Sequence, residues 1–220
     1  ANQPGRQKAG AVGFVVPEVQ IKIAVDGEIA AKGPNVFKGY YEDEASTKAA
    51  FDEDGWFLTG DIGRIDGEGN LVITDRKKDL LVTAGGKNIA PQKVENILKM
   101  DKFIEEVMLY GDKKKFIAAL VVPDFDWLEK YAAHKGIEYK GHSDLVKNPK
   151  IVDLISRRIK AAHKENHIPK YEEVKKFILL DHRFSQSDGE VTPTLKMRRK
   201  NITDKYKDQL EKLYEGDGGE

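Results

Sequence analysis

At 220 residues the chain has room for one large domain or two small ones. Lysine plus arginine and aspartate plus glutamate balance at 37 each, so no global field would hold a nucleic-acid backbone or an anionic membrane. The absence of cysteine excludes disulfides, thiolate–metal sites and a cysteine nucleophile together, and it fits a reducing compartment. No apolar run approaches the ~18 residues of a membrane span. The first residues, Ala1-Asn2-Gln3-Pro4-Gly5-Arg6, hold no signal-peptide core, and Asn201-Ile202-Thr203 without a secretory signal reads as a chance sequon. The expectation is a soluble, cytoplasmic protein with a core.

In chain order, 19–24 alternates apolar and polar residues, Asp26-Gly27 turns the chain, and 28–32 returns as the second arm of a hairpin. A short helix over 43–51 ends at Asp54-Gly55. Three further strands follow at 56–59, 61–66 and 71–75, the last two joined by Asp66-Gly67-Glu68-Gly69-Asn70. Near residue 75 the pattern changes. Pro91 opens a helix whose stripe is Val94, Ile97 and Leu98, strands fall at 104–110 and 116–122, and 124–134 is helical. Ile151, Ile155 and Ile159 recur every four residues, so 149–165 is a helix with a buried face. A strand at 174–180 and an amphipathic helix at 202–214 complete the series, and the tail 215–220 reads as frayed. The fold class is α+β: a short-stranded, β-barrel-like subdomain, then a small α+β domain with a sheet flanked by helices.

Several residues stand out for chemistry. Asp61 follows a Thr-Gly turn, where a carboxylate is presented openly and its two oxygens match the spacing of a ribose cis-diol. Taken singly, Thr-Gly-Asp is a common turn and Arg76 an ordinary surface arginine. Thr83-Ala84-Gly85-Gly86-Lys87-Asn88 lacks the first glycine and the Ser/Thr of a phosphate-binding P-loop, which leaves a bare-backbone loop or a plain turn. His163 and His167 stand four apart but lack a third ligand, so solvated histidines are expected and no metal site. Lys196 sits on a Gly/Pro/Thr loop before a basic helix start, able to project its ammonium outward.

Together these segments resemble the adenylate-forming superfamily, in its long-chain fatty acid–CoA ligase branch. The carrying residues are Gly27-Glu28-Ile29, Gly33-Pro34-Asn35-Val36, Gly39-Tyr40-Tyr41, 55–61 (GWFLTGD), 75–96 (DRKKDLLVTAGGKNIAPQKVEN) and 192–200 (TPTLKMRRK), in the family's order over nearly the whole chain. The resemblance implies that a fatty acid and ATP give acyl-AMP and pyrophosphate, and that coenzyme A then gives acyl-CoA and AMP. Asp61 and Arg76 would hold the ribose of AMP or ATP, Lys78 would be the hinge, Gly85 and Gly86 would line the pantetheine path of coenzyme A, and Lys196 would be the catalytic lysine. Residues 1–76 would end a large N-terminal domain and 77–216 would form the mobile C-terminal domain.

The departures also carry information. The family's Ser/Thr/Gly-rich phosphate loop and its Tyr-Gly-x-Thr-Glu segment are not found in this sequence; the resemblance places them upstream, with most of the Mg²⁺ site. The expectation is therefore a portion inactive alone, whose partners are fatty acid, ATP, coenzyme A and the upstream domain, with peripheral membrane contact open to it. The usual Leu-Pro-Gly is Val16-Pro17-Glu18, and the family's Ser-Gly-Lys is Thr194-Leu195-Lys196. Two alternatives remain at this level: a non-catalytic binding module, and an acyl-AMP ligase serving a carrier protein.

Overall fold

The computed structural model describes residues 1–2 and 4–215, so the expected end of the second domain at 216 and all but the first residue of the expected tail lie outside it. The chain divides into two compact units, Ala1–Leu80 and from Leu81 onward.

The first unit is a curled antiparallel meander of four strands in the order β1 (Gln20–Ile23), β2 (Glu28–Lys32), β3 (Phe57–Ile65) and β4 (Leu71–Arg76). The β1–β2 turn closes where Gly27, at φ +86°, donates its N–H to Ala24 O, and Asp26 Oδ1 accepts the N–H of Glu28. Helix α1 (Glu44–Ala49) is shorter than expected; Asp43 caps it by accepting the Ser46 N–H at 2.9 Å. It buries none of its own residues, and its flanks are tied to the sheet by Phe37 and Phe51 against Phe57. Where two strands were expected at 56–59 and 61–66, the chain forms one strand, β3, with register shifts on both its edges. The Thr-Gly turn signal at Gly60 is a bulge (φ +70°) inside the strand, which bends it without ending it.

Val16-Pro17-Glu18 forms a turn closed by the Val19 N–H on Val16 O, with Glu18 at φ +65°. Pro at the second place and a positive φ at the third define a type II turn, which favours glycine at that third place. The departure from Leu-Pro-Gly thus puts a glutamate where the backbone is strained.

The second unit packs helices on both faces of a three-stranded sheet, β7 (Ile104–Tyr110), β8 (Ile117–Pro123) and β9 (Val174–Leu179), preceded by the two-residue arms β5 (Leu81–Val82) and β6 (Asn88–Ile89). Every residue of the central strand β8 is buried, as its unbroken apolar run requires. Ile117, Ala119 and Val121 face α2 (Pro91–Leu98), α3 (Phe125–His134) and α5 (Pro149–Glu165), through Val94, Leu98, Leu128, Ile151, Ile155 and Ile159. Leu120 and Val122 face α6 (Arg199–Lys212), through Ile202, Tyr206 and Leu210. The connection from β8 to parallel β9 carries α3, the short α4 (His142–Leu145) and α5.

Helix α5 starts with Pro149 behind the Asn148 cap and ends in a Schellman motif: Ile168 N–H reaches His163 O and His167 takes φ +51°. That arrangement corrects the expectation of two solvated histidines at His163 alone, since His167 is exposed as expected. His163 is buried among the core residues, and burial lowers its pKa, while His167 serves as the left-handed residue past the helix end. The last helix begins at Arg199, three residues before the expected start.

Candidate functional site

In the first unit, Asp61 and Arg76 are paired residues at the end of the β3–β4 ladder, and Arg76 Nε lies 2.7 Å from Asp61 Oδ1. The bulge aims this rung. Thr59 donates its hydroxyl to Ile29 O at 2.6 Å and accepts the Asp61 N–H at 3.1 Å. The Gly60 N–H donates to Glu28 Oε1 at 2.8 Å. Glu28 is buried, and its other oxygen takes the ammonium of Lys77 at 2.7 Å; Lys77 also reaches Asp26 at 2.7 Å. These hydrogen bonds hold the Asp26 carboxyl below its ordinary range and raise Lys77. Asp61 Oδ2 has no hydrogen-bond partner among the described residues, and nothing lies within 4 Å of the place a Gly60 side chain would take. Arg76 thus takes one carboxylate oxygen of Asp61 and leaves the other able to accept a hydrogen bond from a ligand.

Lys78 lies in the single 3₁₀ turn Lys77–Asp79 that follows β4, exposed, two residues before the end of the first unit at Leu80. Its neighbour Lys77 is tethered, whereas the Lys78 ammonium has no partner among the described residues.

In the second unit, Gly85 and Gly86 form the turn between β5 and β6. The Thr83 N–H donates to Lys87 O at 3.0 Å, the Gly86 N–H to Thr83 O at 2.9 Å, and the Lys87 N–H to Thr83 Oγ1 at 3.1 Å. Gly86 has φ +73°, and no atom lies within 4 Å of its missing side chain. The turn rests on the β7–β8 connection through Ala84 N–H to Lys114 O and Lys113 N–H to Val82 O. Both glycines are exposed, which leaves bare backbone for a narrow ligand.

Lys196 ends a second tight turn. The Thr192 N–H donates to Lys196 O at 2.9 Å, the Leu195 N–H to Thr192 O at 2.8 Å, and the Lys196 N–H to Thr192 Oγ1 at 3.0 Å. Leu195 takes φ +58° and is 78% exposed, an unfavourable place for a branched apolar residue. Family members of the Ser-Gly-Lys type carry glycine at that step, so the backbone there has the conformation glycine suits. Among the described residues the Lys196 ammonium has no ion-pair partner, and the side chain is exposed.

Among the described residues five carboxylates are buried, Glu28, Asp75, Glu95, Glu172 and Glu190, and the sequence reading marked none of them as such. Glu95 on α2 accepts the Leu109 N–H at 2.7 Å and pairs with Arg199 at the start of α6. That pair ties the helix leaving the Gly85-Gly86 turn to the helix leaving the Lys196 turn. Glu28, Asp75 and Glu95 sit in motif stretches and Glu190 lies two residues before one, but a single charged residue in a strand or helix reads as solvent-facing, so no local signal marks them as buried. Among the described residues no three metal-ligating side chains come together.

This fold is that of adenylate-forming enzymes. The chain matches the adenylation domain of a carboxylate reductase from Mycobacterium chelonae with TM-score 0.74 and 27% identity, over 92% of this chain and 32% of that one. It matches O-succinylbenzoate coenzyme A synthetase from Bacillus subtilis in complex with AMP at TM-score 0.58 and 29% identity, over 89% of this chain and 36% of that one. Residues 78–218 match the AMP-binding enzyme C-terminal domain, and the chain belongs to that family. Among curated relatives, long-chain-fatty-acid–CoA ligase FadD15 of Mycobacterium tuberculosis is 38% identical over 94% of this chain and 34% of its own length. Long-chain-fatty-acid–CoA ligase 6 of Rattus norvegicus is also 38% identical, over 96% of this chain and 32% of its own length. The chain thus spans about a third of the length of the curated relatives it matches.

Proposed function

We propose that this chain is the C-terminal, mobile portion of a long-chain fatty acid–CoA ligase. In the first step a fatty-acid carboxylate oxygen attacks the α-phosphorus of ATP and pyrophosphate leaves, giving acyl-adenylate. In the second the coenzyme A thiol attacks the acyl carbon, losing its proton, and AMP leaves. Asp61 accepts hydrogen bonds from the ribose hydroxyls while Arg76 orients it and adds positive charge. Lys196 places an ammonium where two anions must meet, the electrostatic term that dominates such steps. The Gly85-Gly86 turn lines the pantetheine path, and rotation near Lys78 exchanges Lys196 for that turn. Mg²⁺, in this reading, neutralises the ATP phosphates and is held by the upstream domain.

One observation carries this reading. Lys196 and the Gly85-Gly86 turn, needed in different half-reactions, are exposed on the same compact unit, which begins three residues after Lys78. The balanced charge and lack of cysteine support a cytoplasmic setting; no described helix is long and apolar enough to cross a membrane.

The test uses the protein with its upstream domain. Lys196→Ala is expected to lower pyrophosphate release by about 10²–10³-fold, the size seen when one charge-stabilising group is removed. Thioester formation from supplied acyl-adenylate should survive. Equal loss of both half-reactions would refute the role of Lys196. The 220-residue chain alone is expected to release no pyrophosphate from ATP and palmitate.

A further inference from the structure

The Lys196 turn stands on a buried charge. Glu190, one residue before the isolated bridge between Val191 and Met197, is 0% exposed. Its Oε2 accepts the Ser185 N–H at 2.8 Å; its Oε1 takes the Lys205 ammonium at 2.9 Å and the Tyr206 hydroxyl at 3.2 Å. Its backbone is held as well, by the Glu190 N–H on Ser185 O at 3.0 Å and the Arg198 N–H on Glu190 O at 2.8 Å. The chain thus pairs 190 with 198, 191 with 197 and 192 with 196, a ladder with Glu190 at its foot and Lys196 at its tip.

Around this foot the network extends outward. Lys205 also binds Asp188 at 2.8 Å, and the Tyr206 hydroxyl meets His182 Nε2 at 2.8 Å, whose Nδ1 faces Asp181 at 2.6 Å. Lys205 and Tyr206 lie on α6, which packs on the sheet through Ile202, Tyr206 and Leu210. The turn is therefore referenced to the core of the unit through Glu190.

A carboxylate is an expensive way to fill a buried space: it must be fully paired, and an apolar residue of similar size would hold a mere loop as well. Its three partners come from two segments, 185 and 205–206, which fix direction as an apolar contact would not. Lys196 needs direction, since its turn carries the unfavourable Leu195 conformation and its ammonium finds no partner within the described residues.

We propose that Glu190 is a positioning residue for the adenylation step, holding the 191–197 ladder so that Lys196 meets the reacting anions, with no part in thioester formation. This inference rests on the adenylation role proposed for Lys196.

The experiment compares Glu190→Gln, Tyr206→Phe and Lys196→Ala in the protein with its upstream domain, measuring pyrophosphate release and acyl-CoA formation from supplied acyl-adenylate separately. Glu190→Gln is expected to lower kcat for pyrophosphate release by about 10–10²-fold, the scale of a small misplacement of a reacting group, with KM for ATP changed less than about 2-fold. Acyl-CoA formation should stay within about 2-fold, because the Gly85-Gly86 turn is built on other elements. Trypsin cleavage after Lys196 should become faster. If Glu190→Gln does not fold, Tyr206→Phe removes the hydroxyl's bonds to Glu190 and His182 and no charge, and should show a smaller loss confined to the same half-reaction. Unchanged adenylation, or equal loss in both half-reactions, would overturn the proposal. Should Lys196→Ala itself leave adenylation intact, the reading of Lys196 fails first, and the two failures are thereby told apart.

Discussion

Lys87 and Lys196 close two turns built the same way. In each, a threonine (Thr83, Thr192) exchanges backbone and hydroxyl hydrogen bonds with the lysine four residues on, and the residue before the lysine is left-handed. This is the three-residue hairpin whose last loop residue forms a bulge and favours glycine. One copy has Gly86 at that place, at φ +73°; the other has Leu195, at φ +58°.

The shared geometry gives opposite expectations for the two positions. Gly86→Ala meets no neighbour, so its cost is conformational alone, about 1 kcal/mol of stability. Leu195→Gly relieves the same strain but frees the unfolded chain, leaving a net gain of about 0.5 kcal/mol. Urea midpoints of the two variants should move in opposite directions from the parent. Movement in the same direction would show that φ does not decide stability at these sites.

The Glu95–Arg199 pair is nearly fully buried on its acidic side, where Glu95 is 2% exposed. Arg199→Met leaves that carboxylate with the Leu109 N–H but without the guanidinium, and should cost about 3 kcal/mol, the low end for breaking a buried pair. Adding Glu95→Gln to Arg199→Met removes the charge that has lost its guanidinium and should recover a large part of the loss. A double-mutant cycle by urea unfolding reads this directly; additive losses would contradict it.

Much of this was open to a reader of the sequence. The Ile151–Ile155–Ile159 period set α5, the unbroken run at 117–122 set a buried strand, and the ordered motifs gave the family. The errors fall where local signals are ambiguous. A Thr-Gly pair marks a turn and a bulge equally, so β3 was split at Gly60. His163 is the next step of four after Ile159 on the buried face of α5, but its spacing from His167 drew the reading to solvent instead, and it proved buried. Asp61 and Arg76 each stood out in the sequence, but their contact needs the register of β3 on β4. Glu28, Glu95 and Glu190 were hidden because burial of a charge depends on partners distant in sequence, such as residue 205 for Glu190.

Glu28 makes the ribose contact proposed for Asp61 and Arg76 testable from behind. Its carboxylate fixes the Gly60 N–H beside Asp61 and the Lys77 ammonium beside Lys78. Glu28→Ala removes an acceptor at the bulge without touching the face a nucleotide would meet. In the protein with its upstream domain, AMP affinity is expected to fall about 10-fold, corresponding to one charge-assisted hydrogen bond. Calorimetry with AMP checks this, with coenzyme A as the control ligand expected to be unaffected. Unchanged AMP affinity would mean that the bulge holds its shape without Glu28.

Burial of His163 links the second unit to pH. Desolvation is the largest influence and lowers its pKa from 6.5, with Glu173 opposing and Lys175 assisting more weakly. The unfolded chain therefore binds a proton on this group at a higher pH than the folded one. Between the two values the unfolded state holds more protons, so stability rises with pH there. The contribution is fully present above about pH 6.5 and is lost as pH falls through the lower, folded value. Its Nε2 has no hydrogen-bond partner among the described residues, so neutral His163 gains little from its polar atom. His163→Leu is expected to keep or improve stability at pH 8 and to flatten its decline below pH 6.5. Urea unfolding of parent and variant across that range reads the difference in slope. Parallel slopes would mean that His163 reaches solvent readily enough to take its proton without opening the core.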